Sequence, residues 1–196
     1  MWEPLAPASL VKATLRLFVA ACVVAVGVIA TACNPTFNWR EFRADGFAVM
    51  LPGRPQTVSR EVKLPDAVVQ MSMTSTGIGA TLFAVGVAHL PVGLSAEAAA
   101  RERTIAHMRD ALVRNVGASQ VRTSTAVLPV PAGDSRKVLA AETAEASGQD
   151  KGGSAVQLAA RLFIVDDRLF QVVALGAKEE LSPEALDTFF ASFRLI

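Results

Sequence analysis

Side chains that could perform acid–base, nucleophilic or metal chemistry are few and scattered in this sequence. The histidines are His89 and His107, and the cysteines are Cys22 and Cys33, both near the start of the chain. A zinc site usually takes three or four ligands from His, Cys and carboxylates. We therefore predict no metal site and no cofactor. Because no Gly-x-Ser-x-Gly turn is present, no serine-hydrolase site is predicted either.

Two pairs of adjacent acids and one glycine-rich stretch complete the candidates for chemistry. Asp166-Asp167 and Glu179-Glu180 lie in predicted loops, where neighbouring carboxylates diverge and are usually solvated. The stretch "TGIGAT" at 76–81 precedes a strand, whereas phosphate binding by such glycines requires a following helix N-terminus. These residues indicate no enzyme class, and we predict that the chain is not an enzyme.

Cys33 has a specific predicted modification. Residues 17–32 carry no charged side chain and follow Lys12 and Arg16, which is the pattern of an export signal. The end of this run, "IATAC" at 29–33, resembles a bacterial lipobox, in which small residues precede a cysteine that becomes diacylated. It departs from that pattern at Ala30, where a larger aliphatic residue is usual. Cleavage before Cys22 would leave too short a hydrophobic core, so Cys33 is the predicted lipidation site.

Two fates of this leader, residues 1–33, stay open from the sequence. In the first, Cys33 is acylated and the chains bind the membrane at about 0.8 kcal/mol per buried CH₂ group. In the second, residues 17–32 remain as an uncleaved anchor helix about 24 Å long, with its basic end in the cytoplasm. Either fate places the remainder of the chain in the periplasm, at an inner or an outer membrane.

The remainder is predicted to be a short tether, residues 34–39, and a single domain, residues 40–196. No cysteine follows Cys33, so the domain has no internal disulfide. The net charge of +1 and the lack of a basic stripe exclude nucleic acid as a predicted partner. Trp39 fits two positions, either at the membrane interface or as a cap on the core of the domain.

Hydrophobic periodicity predicts the elements of this domain. Period-two alternation indicates strands on both sides of Asp45-Gly46 and over 57–63, 68–75, 81–89, 120–128, 135–144, 155–165 and 169–176. A helix is predicted from an N-cap at Ser95 to a stop at Gly117, with an apolar stripe through Ile105, Met108, Leu112 and Val116. A second helix begins at Ser182-Pro183 and carries Leu186, Phe189, Phe190 and Phe193.

The order strands, helix, strands, helix predicts an α+β fold, with an N-terminal hydrophobic helix followed by a mostly antiparallel sheet covered by two helices. Three stretches, "DGFAVMLPGRPQ" at 45–56, "LFIVDDRLFQVVALG" at 162–176 and "LDTFFASFRLI" at 186–196, resemble the PsbP-like α/β/α sandwich of small bacterial envelope lipoproteins. The resemblance implies a fold and an envelope setting and assigns no catalytic residue. Where the role of such proteins is known, they act as docking or accessory proteins.

The sequence thus predicts a membrane-tethered docking or accessory module whose partners are the membrane and another envelope protein. The alternative is a periplasmic carrier of small apolar ligands. It rests on the adaptable side chains of Met71 and Met73 and on the small-residue face formed by Ala84, Gly86 and Ala88.

Overall fold

The structure, a computed structural model, describes residues 37–44, 46–150 and 152–196. The predicted leader and Cys33 lie outside these residues. The strands are β1 (Trp39–Ala44), β2 (Phe47–Pro52), β3 (Gln56–Lys63), β4 (Val68–Ile78), β5 (Thr81–His89), β6 (Val121–Thr125), β7 (Val138–Gln149), β8 (Ala155–Val165), β9 (Arg168–Gly176) and β10 (Arg194–Leu195). The helices are α1 (Val92–Ala96), α2 (Ala98–Asn115) and α3 (Pro183–Ser192).

The larger sheet has the strand order β3-β4-β5-β9-β8-β7-β6, and every neighbouring pair in it is antiparallel. Short turns join most consecutive strands, as the alternation and the turn residues predict. The central strands β5 and β9 are buried on both faces and β8 is so from Leu162 onward, whereas the edge strands β3 and β6 are largely exposed. The predicted α+β class with an antiparallel sheet is confirmed.

Strands β1, β2 and β10 form a second, separate sheet, which the sequence did not predict. Gly46 adopts φ +77° between β1 and β2, a conformation that glycine reaches without strain. The buried side chains of Phe47, Val49 and Leu51 join the same hydrophobic core as Phe83 and Phe163 of the larger sheet. One face of the larger sheet is therefore covered by a small sheet as well as by α3, and not by a helix alone.

Helix α2 packs on the opposite face, mainly against β7 and β8. Its last helical residue is Asn115, and the predicted stop residue Gly117 follows two positions later. Gly117 has φ +59° and donates its N–H to the Arg114 carbonyl at 3.1 Å. The Ala118 N–H bonds to the Val113 carbonyl at 3.2 Å, completing a Schellman motif. The predicted apolar stripe is confirmed, since Ile105 and Met108 are buried in this layer.

The predicted start of this helix at Ser95 is wrong. Ser95 lies inside the short helix α1, and its hydroxyl donates to the Val92 carbonyl at 3.2 Å. The N-cap of α2 is Glu97, whose extended backbone separates the two helices and whose side chain makes no capping hydrogen bond. Pro91 is the N-cap of α1, and its carbonyl accepts hydrogen bonds from the Leu94 N–H at 2.9 Å and the Ser95 N–H at 3.2 Å.

Helix α3 starts where the sequence predicts. The Ser182 hydroxyl accepts a hydrogen bond from the Ala185 N–H at 3.2 Å, and Pro183 occupies the first helical position. The helix is fixed to the core by aromatic rings: the Phe189 ring centroid lies 5.1 Å from that of Phe83, and Phe193 stacks on Phe163 at 5.9 Å. These contacts place α3 beside the small sheet, on the same face of the larger sheet.

Two residues of the predicted tether belong to the folded body. The Phe37 ring is buried 5.4 Å from the Phe83 ring, and the Trp39 ring lies 5.3 Å from it. Trp39 also begins β1, opposite Pro52. This packing is the second of the two positions predicted for Trp39, a cap on the core.

Candidate functional site

A groove lies between α3 and the strands β6, β7 and β8, and we call it the α3 groove. It consists of two adjoining depressions of about 580 Å³ and 360 Å³. The residues that line both are Glu145, Gln157, Ala159, Leu181 and Leu186. None of its lining residues belongs to the small sheet, so this is the part of the sheet face left open beside α3.

The floor of the groove follows from the alternation of β7 and β8. Side chains of antiparallel partners point to the same face, and here the partners are Thr143 with Arg161, Glu145 with Ala159, and Ser147 with Gln157. The intervening residues Val156, Leu158 and Ala160 are buried beneath α2. The same period of two therefore builds the core on one face and a polar floor on the other.

The wall of the groove comes from α3 and the loop before it. Leu181 and Phe190 are buried, Leu186 is half-buried, and the charged Lys178 and Asp187 are exposed. The preceding loop is held in place because the Thr81 hydroxyl donates to the Glu180 carboxylate at 2.7 Å. The groove thus has a fixed, largely apolar wall with charges along its rim.

Arg161 is the most constrained charged residue of the groove. Its guanidinium carbon lies 4.6 Å from the centroid of the Phe190 ring, and Nη1 donates to the Phe190 carbonyl at 3.3 Å. Burial lowers the pKa of the Arg161 guanidinium from its usual value, and the negative charge of Asp187 offsets part of that shift. The group stays a cation, because an arginine is not deprotonated in proteins.

Glu145 is the other charged residue of the floor. Arg122 of β6 donates to its carboxylate at 3.1 Å across the pair of strands. Both side chains are more than half exposed, so the ion pair contributes little to stability. In the groove, the positive charge of Arg122 balances the negative charge of Glu145.

The structure places none of the sequence-predicted acid pairs or histidines in the groove. His89 lies at the exposed rim of the sheet, with Nδ1 3.5 Å from the Asp167 carboxylate. His107 is half-buried on α2. Asp166 lies in the turn between β8 and β9, where its carboxylate accepts a hydrogen bond from the Lys137 N–H. Among residues 37–44, 46–150 and 152–196, no three His, Cys, Asp or Glu side chains are grouped so that they could hold a metal ion.

Side chains of the neighbouring strand β4 cover the middle of the small-residue face of β5. A methyl group on Gly86 would lie 2.5 Å from the Met73 sulfur and 2.9 Å from the Met71 sulfur. These two side chains cover Gly86, the middle one of the three small residues on which the ligand-carrier alternative rests.

Sequence reasoning missed Arg161, although a signal for it was present. Arg161 interrupts the apolar strand β8, and a lone charge there has to face either a partner or an opening. The opening could not be predicted, because it depends on where α3 crosses the sheet.

Comparison with known proteins gives no assignment: no family model matches the chain, and no curated protein matches it. None of the helices described in the structure is both long and apolar enough to cross a membrane.

Proposed function

We propose that the chain is a membrane-tethered envelope protein whose folded body is a docking or accessory module, and that the α3 groove is its docking surface. The observation that carries this proposal is the groove itself. Small-molecule sites are enclosed and mostly apolar. The α3 groove is instead open along one side, with a polar floor formed by Thr143, Ser147 and Gln157. Such a surface suits a segment of another protein.

The tethering part of the proposal is supported by the sequence. The charge-free residues 17–32, the basic residues before them and the small residues before Cys33 suit an exported lipoprotein. If Cys33 is acylated, three residues, 34–36, separate it in the sequence from Phe37, which is the first described residue and is buried in the core. We propose a bacterial envelope setting and a PsbP-like fold, on the resemblance of three stretches of the chain.

Site-specific photo-crosslinking in membranes tests the docking surface. A photoreactive amino acid at the exposed Ser147, on the floor of the groove, is expected to give one discrete protein adduct. The same amino acid at Glu102, exposed on the outer side of α2, is the matched control and is expected to give none. No reproducible adduct at Ser147, or the same adduct at both positions, would contradict docking through the groove.

Metabolic labelling with a fatty-acid analogue tests the anchor. Wild type and Cys22→Ser are expected to be labelled, whereas Cys33→Ser is expected to lose the label, since only Cys33 follows the lipobox-like residues. Mass spectrometry that found an intact Met1 and a free Cys33 thiol would exclude lipidation and leave the uncleaved anchor.

A further inference from the structure

We infer that Arg161 is the anchor of the α3 groove for an acidic side chain on an extended segment of a partner protein. The inference rests on the proposed function, and it adds the chemistry of the occupant.

Arg161 forms no ion pair and no hydrogen bond with a carboxylate of the described residues, although the negative charge of Asp187 acts on it from a longer distance. Its guanidinium is held by the ring and the carbonyl of Phe190, both uncharged, and no ion pair joins it to a carboxylate. A half-buried cation gains most from a ligand that restores the interactions it lost with water. Stacking on Phe190 keeps the guanidinium in one orientation, which lowers the entropy lost on binding.

The charge around the groove also favours an anionic ligand. The titratable side chains that line it are Arg122, Glu145, Arg161, Lys178 and Asp187. Arg122 and Glu145 neutralise each other at 3.1 Å. The remaining groups are two cations and one carboxylate, so the groove carries an excess positive charge and attracts an anion.

The shape of the groove favours an extended peptide. From Gln157 to Arg161 the floor follows β8 for about 13 Å, which accommodates about four extended residues. The polar side chains of Thr143 and Ser147 face this path and can bond to a peptide backbone, and Leu186 offers an apolar contact beside it. A lipid would need an apolar channel for its acyl chains, which this floor does not provide. A carboxylate matches the planar fork of an arginine with two parallel hydrogen bonds.

The test is selection of a phage-displayed library of short random peptides on the full chain in detergent micelles. Enriched peptides are expected to share one Asp or Glu flanked by apolar residues. Binding of an enriched peptide is expected to weaken about 10- to 100-fold with Arg161→Gln, the loss of a charge-assisted hydrogen-bonded pair. Arg161→Lys should recover part of the affinity. Asp187→Asn should strengthen binding because it removes the competing carboxylate, and Glu102→Gln should change nothing.

Thermal unfolding of each variant establishes that it is folded. The Asp187→Asn gain in affinity cannot come from misfolding, so it tests the inference even if Arg161→Gln is destabilised. The inference is overturned if no peptide is enriched, if enriched peptides show no acidic position, or if Arg161→Gln and Asp187→Asn both leave binding unchanged. Arg161-dependent binding to phosphatidylglycerol vesicles in place of peptides would also overturn it, in favour of a lipid headgroup. Adducts at Ser147 that persist under any of these outcomes would leave the docking function standing without its acidic partner.

Discussion

Three glycines of the folded body differ in what an added methyl group would meet. At Gly148 of β7 the methyl group would collide with the Val116 carbonyl at the end of α2, where the Gln149 N–H also bonds to that carbonyl at 2.8 Å. At Gly86 the three nearest atoms would all belong to the side chains of Met71 and Met73. At Gly93 of α1 it would meet nothing within 4 Å. The environment, and not the residue type, therefore sets the effect of a substitution.

These environments predict a graded series of stabilities. Gly148→Ala is expected to lower the free energy of unfolding by about 1–3 kcal/mol, because a backbone carbonyl cannot move aside without shifting a strand or a helix end. Gly86→Ala should cost less, since thioether side chains are flexible. Gly93→Ala, the matched control, should be neutral or stabilise by up to about 1 kcal/mol, since alanine suits a helix better.

Urea unfolding of the three variants measures the series. Equal effects at Gly148 and Gly93 would show that β7 does not approach the end of α2 as closely as described.

Individual residues are where sequence reasoning was weakest. Gly148 lies between the predicted strands 135–144 and 155–165, and the prediction for the second of these strands assigns no role to Arg161. Both owe their roles to elements distant in the sequence, α2 for Gly148 and α3 for Arg161. Hydrophobic periodicity and secondary-structure propensity do not indicate which distant elements pack against each other.

At the scale of elements, the alternation and the cap residues predicted most of what the structure shows. Most strand positions, the stop of α2 at Gly117 and the start of α3 at Ser182 follow from local physical chemistry, although β7 ends five residues beyond the predicted 135–144. The second sheet did not follow, because period two gives the face of a strand and not its partner. The predicted start of α2 is wrong because Ser95 and Glu97 resemble a helix N-cap signal, whereas Ser95 lies inside the short helix α1.

The two serines therefore make a matched test of capping. Ser182→Ala removes the hydroxyl that accepts from the Ala185 N–H and is expected to lower the free energy of unfolding by about 1 kcal/mol. Ser95→Ala removes only a bond to a carbonyl one turn back and is expected to change it by less than about 0.5 kcal/mol.

Thermal and urea unfolding of both variants provide the comparison. A larger loss at Ser95 than at Ser182 would restore Ser95 as a cap and place the start of α2 where the sequence predicted it.

At the scale of the whole folded body, the larger sheet separates two apolar layers. One lies beneath α1 and α2, and the other lies beneath the small sheet and α3. The second layer is richer in aromatic rings, and it extends to Phe37 and Trp39 at the start of the described chain. The small sheet and α3 do not extend over the whole of this face of the larger sheet, and the α3 groove is the part of the face that they leave open.

This arrangement predicts where the folding unit begins. A variant that starts at Arg40 loses the buried Phe37 ring, the Trp39 ring on Phe83 and the bond from the Gly53 N–H to the Asn38 carbonyl. Compared with a variant that starts at Asn34, it is expected to lose about 3 kcal/mol or more of unfolding free energy, as large aromatic truncations do. Phe37→Ala in the full chain is the control and should reproduce much of that loss. Equal urea midpoints for the two starts would mean that residues 37–39 act only as a tether, and that the aromatic layer is complete without them.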